Sequence, residues 1–228
     1  MLFDLRGRGR RRTVQIIYLS LALLMGGGLV LFGIGGATSG GLVDAIQGGS
    51  GGQSADDVFE KRVDALEKRT QANPRDARAW NELASLRFAV AGSTGYDQNQ
   101  RVYTTKGKTE LRNANAAWQR YLALNPPKPD ADTAVKMVQA LGDQGLRQYP
   151  EAVRAMEIVI DNRPATYQLY AQLAVLAHGA KQTRKATLSA DKAVEIAPKN
   201  QRKAVRDAIK QEQARIDGLA TAGQPTGQ

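Results

Sequence analysis

The sequence predicts an all-α protein in which an N-terminal transmembrane helix precedes an α-solenoid of about three helix pairs with flanking helices. Three observations carry that prediction. Residues 14–34 are apolar, aromatic or Gly except for Gln15 and Ser20. From Asp56 onward apolar residues recur three and four apart, and no alternating β-branched run of strand length interrupts them. Prolines then close successive helical segments, with Pro164 and Pro198 standing 34 apart, the length of one helix-pair repeat.

In chain order, the first element is a basic segment, residues 1–12, where Arg6, Arg8, Arg10, Arg11 and Arg12 against Asp4 leave a charge of +4. The transmembrane helix is expected over residues 13–35. Its 21-residue apolar stretch would reach about 31 Å as a helix, close to the thickness of a bilayer core. Twelve Leu, Ile, Val or Phe side chains favour insertion by about 5 kcal/mol before the polar residues and glycines subtract their part. Arginines cluster before the span, and the twenty residues after it hold no Lys or Arg. The positive-inside rule therefore puts the N-terminus in the cytoplasm and the rest of the chain outside the cell membrane. Ala37-Thr38-Ser39 loosely matches a signal-peptide cleavage site, but the apolar stretch is longer than such segments carry, so an uncleaved anchor is expected.

Residues 36–55 are rich in Gly and Ser, a composition that makes a flexible tether. The helical domain is expected over 56–219, opening with a lone helix from Asp56 to Asn73 and closing with a polar-faced capping helix from Asn200 to Leu219. Residues 220–228, rich in Gly, Thr and Gln, read as a disordered tail.

Between those ends lies a repeat. Twelve, eight and five positions before Pro126 stand Ala114, Trp118 and Tyr121; before Pro164, Ala152, Met156 and Val159; before Pro198, Ala186, Ala190 and Ala193. Offsets of four and three keep each trio on one helical face, and a proline disfavours helix in the residue before it. Upstream halves agree in two cases: Trp80, Leu83 and Ala84 follow Pro74 at the offsets at which Tyr170, Leu173 and Ala174 follow Pro164. Over roughly Ala77 to Pro198 this pattern resembles the tetratricopeptide repeat (TPR). The first repeat carries an excess of 18 residues at about Gly92 to Thr109, and the middle repeat spans 38 with an unclear first-helix register.

The resemblance implies a protein-binding module. Family members bind peptide on a concave face lined by the first helix of each repeat, which here places Arg78, Asn81 and Ser85 from repeat one and Gln168, Ala171 and Val175 from repeat three as candidates. Chaperone-binding relatives clamp a C-terminal carboxylate with several Lys, Arg and Asn, a set that Arg78 and Asn81 alone do not rebuild. The insertion adds Tyr96 and Tyr103 as candidate anchors, because aromatic and cationic side chains on loops suit interfaces. By the same resemblance, Trp80, Leu83, Ala84, Ala114, Trp118, Tyr121, Ala152, Met156, Tyr170, Leu173, Ala174 and Ala186 pack one helix against the next.

Chemistry is scarce. The chain has no cysteine and one histidine, His178, which excludes thiolate metal sites, Cys nucleophiles and paired-imidazole mechanisms. His178 stands beside Gly179 where a helix should end, as a turn residue. Gly107-Lys108-Thr109 mimics a phosphate loop, but the required first glycine falls at Val102. No enzyme activity, cofactor, metal, nucleic acid or small-molecule substrate is expected. Topology and repeat together resemble bacterial single-span TPR proteins such as an ancillary translocon subunit, which implies an extracytoplasmic adaptor or assembly scaffold for a protein or peptide partner. Alternatives are a stoichiometric subunit of one membrane complex and a holdase of the cytochrome c biogenesis type.

Overall fold

A computed structural model describes residues 55–222. The described residues are all-α apart from one short hairpin: α1 (Ala55–Ala72), α2 (Ala77–Thr94), β1 (Tyr96–Asp97), β2 (Val102–Tyr103), α3 (Thr105–Ala123), α4 (Ala131–Leu141), α5 (Tyr149–Asn162), α6 (Tyr167–Gly179), α7 (Thr183–Ile196) and α8 (Arg202–Ala222). None of these helices is long and apolar enough to cross a membrane. The expected span at 13–35, the segment 1–12, nearly all of the tether and the last six residues of the tail lie outside the described residues.

The helical region expected as one domain divides into two compact units, 55–164 and 165–222. The break falls at a repeat proline. Arg163 and Thr166 are both extended, so the chain leaves α5 and enters α6 through non-helical backbone.

In the N-terminal unit α1 buries Phe59, Val63 and Thr70 at helical spacing against α2. Asp76 caps α2 by accepting from the Ala79 N–H, and Leu83, Ala84 and Leu86 turn inward toward α3. Thr104 caps α3 in the same way, and Leu111, Ala114, Trp118 and Tyr121 form its buried stripe. Helix α4 is apolar on nearly every side, with Ala134, Val135, Met137, Val138, Ala140 and Leu141 all buried, because it contacts α2, α3 and α5 at once. Helix α5 starts with Pro150 in its first turn, where the missing N–H costs no bond, and buries Ala152, Met156 and Val159 against α4.

The C-terminal unit pairs α6 with α7 and lays α8 over both. Its core cluster is built from Ala171, Ala174, Ala193, Ala197, Val205 and Ile209, with Tyr167, Tyr170, Val175, Ala190 and Val194 packed around it. Helix α8 runs to Ala222, past the end expected at Leu219: it passes through Gly218, Ala220 and Ala222 favour helix, and the next glycine is Gly223.

The caps resolve the register of the middle pair. Asp76, Asp130 and Thr166 each accept a hydrogen bond from the N–H three residues on. Aligning these caps sets Trp80 with Ala134 and Tyr170, Leu83 with Met137 and Leu173, and Ala84 with Val138 and Ala174. The cap follows its proline by two residues in the outer pairs but by four in the middle one, where Pro126-Pro127-Lys128-Pro129 lengthens the loop. The other two extra residues fall between that cap and the end of α5.

Candidate functional site

The open face of the N-terminal unit is built by α2 and α4. Arg78 projects into solvent and pairs with Glu82 one turn on at 2.8 Å. Asn81 and Ser85 follow on the same face, both half-buried. Ser85 accepts a hydrogen bond from the ammonium of Lys136, which reaches across from α4. Burial lowers the Lys136 pKa, while the carboxylates of Asp130 and Asp132 act in the opposite direction. Asn81 Oδ1 is a buried acceptor without a donor among the described atoms.

Beside this face runs a charged seam. Arg87, on α2, inserts between Glu110 of α3, at 2.7 Å, and Glu67 of α1. Burial works against the guanidinium charge, but the hydrogen bonds to Glu110 and Glu67 more than offset it and raise the arginine pKa. The seam borders a cleft of about 280 Å³ lined by Phe59, Val63, Asp64 and Lys106 among others. It ties three helices together at one point.

The insertion folds as a hairpin. Tyr96 pairs with Tyr103 and Asp97 with Val102 in antiparallel register, and the two tyrosine rings meet edge to face with centroids 5.0 Å apart. Asp97 Oδ1 accepts from the N–H groups of Asn99 and Gln100, and Arg101 takes a left-handed φ of 56° to close the turn. At the hairpin base Gly95 and Gly107 lie so close that a Cβ on either would sit about 2 Å from the other's backbone (2.2 and 2.1 Å). Tyr96 and Tyr103 thus spend part of their surface on each other, and burial raises the Tyr103 pKa.

In the C-terminal unit the expected face is mostly closed. Gln168 is exposed, but Ala171 is buried in the core cluster and Val175 packs against it. Both therefore differ from the expectation of an open binding position. The reason is α8: Val205 and Ile209 cover the side of α6 from which those two residues project. His178 ends α6 as expected, but its Nε2 lies 2.9 Å from Asp217 Oδ1 on α8, a pairing that sequence distance concealed. The hydrogen bond from His178, with lesser help from Lys181, lowers the Asp217 pKa.

Of the residues expected to pack helices, Leu83, Ala84, Ala114, Trp118, Tyr121, Ala152, Met156, Leu173, Ala174 and Ala186 are buried. Trp80 and Tyr170 are only half-buried. The Trp80 indole N–H donates to the Pro74 carbonyl at 3.0 Å, fastening the loop before α2 instead of filling a core. Gly107 lies in the first turn of a capped helix, not in a phosphate loop. Among the described residues no cluster of three or more His, Cys, Asp or Glu is placed to hold a metal. Sequence reasoning missed Lys136, whose register was hidden, and the Glu67–Arg87–Glu110 seam; the only available signal was the capping Asp130.

No family model, no curated protein and no solved structure matches this chain.

Proposed function

We propose that the chain is a membrane-anchored, TPR-like adaptor or assembly scaffold that binds a protein or peptide partner on the α2/α4 face and does no chemistry of its own. The observation that carries this reading is the recurrence of one local plan in α2/α3, α4/α5 and α6/α7: a side-chain cap, a helix, a turn or insertion, and a second helix closed by proline. A scaffold of such pairs offers a preformed surface, so a docking peptide loses entropy on one side only. The half-buried Lys136 ammonium, which donates to Ser85 on this face, has further N–H bonds to offer a peptide carbonyl. Within the C-terminal unit, Gln168 of α6 is a separate exposed candidate contact.

The membrane part rests on residues 14–34 and on the arginines before them, with the helical units outside the cell membrane. A stoichiometric subunit of one membrane complex is the second reading, favoured by the stiffened hairpin, which suits a permanent contact better than a transient one. In-cell photo-crosslinking from Arg78, Asn81, Gln168 and Tyr103 tests both. Varied secreted clients captured at Arg78, Asn81 and Gln168 are the expected result. One recurring membrane protein captured through Tyr103 would replace the adaptor with the subunit.

A further inference from the structure

The C-terminal unit carries an open groove of about 590 Å³ that the reading above does not use, lined by Tyr170 of α6 and by Gln182, Thr183, Arg184, Lys185, Leu188 and Ser189 at the start of α7. Its floor is apolar. Leu188 is 59 % exposed, whereas most large hydrophobic side chains of the described residues are covered. The half-buried Tyr170, which packs against the core cluster, also lines the groove. A volume of this size admits one or two bulky side chains of a docked segment.

The rim is cationic. Arg184 is exposed, Lys185 stands next to it, and no carboxylate lines the groove. The same edge holds the N-terminal turn of α7, whose cap residue Gln182 makes no side-chain capping bond, so the positive end of the helix dipole adds to the charge of Arg184. The wider surroundings agree in sign: residues 165–222 hold ten Lys and Arg against five Asp and Glu, while residues 55–164 are nearly balanced at 17 against 15.

From this charge complementarity we infer that the groove between Tyr170 and Leu188 docks an acidic, apolar-anchored peptide segment of a protein partner, with a bulky apolar side chain on Leu188 and Tyr170 and carboxylates against Arg184 and the α7 N-terminus. This surface is separate from the α2/α4 face, and either can exist without the other. Apolar burial supplies the anchor and the rim supplies selectivity, so affinity falls with added salt.

The test selects random dodecapeptides displayed on phage against the full chain, and repeats the selection on Leu188→Glu and Arg184→Glu. Both positions are exposed, and far-ultraviolet circular dichroism checks that each variant keeps its helices. The expected outcome is a motif pairing Asp or Glu with Leu, Phe or Trp, whose synthetic peptide loses about tenfold in affinity to either variant. Val102→Glu, on the hairpin, serves as the control and leaves that affinity unchanged. Absence of enrichment, a motif without acidic residues, or a motif that binds both variants equally overturns the proposal. So does a self-associated chain that Leu188→Glu converts to monomer, which makes the groove an interface between copies. Blockage relieved by deleting residues 42–46 also overturns it, making an internal segment the occupant.

Discussion

The two units reach closure by different means. The N-terminal unit does it with bulk: among the most fully buried large side chains, Leu111, Trp118, Met137, Val138, Leu141, Val153, Met156 and Val159 all lie in residues 55–164. The C-terminal unit contributes Val205 to that group, and its core cluster is otherwise mainly alanine. Small side chains let α6, α7 and α8 approach closely, but each buries little apolar surface. At roughly 25 cal/mol per Å² the first unit has more to lose per residue removed, and the second depends more on how well its third helix stays seated.

Four substitutions sharpen or break that contrast, with hydrogen exchange read unit by unit alongside thermal unfolding. Trp118→Ala has the largest expected effect, about 3–5 kcal/mol, confined to residues 55–164; an unchanged midpoint would refute the indole's place in the core. Arg87→Met follows, at about 3 kcal/mol. Glu110 is left with a side chain only 17 % exposed and no guanidinium, while the more open Glu67 regains water. Protection should fall where α1, α2 and α3 meet, and an additional Glu110→Leu change should recover most of the loss. In the C-terminal unit, Ile209→Ala is expected to cost about 2–3 kcal/mol, less than Trp118→Ala, yet to loosen all of α8 and expose Ala171 and Val175. Unchanged exchange in α6 would break the view that α8 closes that face.

Asp217→Asn is the smallest. The folded state holds the Asp217 pKa below its ordinary value, so its contribution is present above the unfolded pKa and is lost as pH falls through the folded one. The variant should therefore melt slightly lower than the wild type at neutral pH, with the difference closing below the ordinary carboxylate range. A gap that persisted in acid would mean that the His178 contact acts through shape and not through charge.

Helix ends were the most legible feature, because proline and capping chemistry are local. Pro74, Pro126, Pro164 and Pro198 each lie just beyond a helix, and the lone first helix and the closing α8 lie where apolar spacing puts them. The middle pair was opaque because three prolines in four residues shift the cap by two positions, which carries Lys136 into a place that proline counting does not predict. The hairpin was hidden for another reason. Strands of two residues show no alternation, and what holds them is the contact of Gly95 with Gly107, twelve residues apart. Candidate positions on α6 read less well than those on α2, since periodicity gives a direction for Ala171 and Val175 but not the fact that α8 lies in that direction.

That glycine contact also divides the insertion by what it tolerates. Beyond it, Gln98, Asn99 and Gln100 are exposed, and the N–H groups of Asn99 and Gln100 donate to Asp97 within the turn, so added residues at the tip leave α2 and α3 where they are. At the base a single methyl group has nowhere to go. The first helix pair therefore has a variable tip on an invariant stem, and an epitope or fluorophore inserted between Gln98 and Gln100 would report on the protein without disturbing the face that α2 presents.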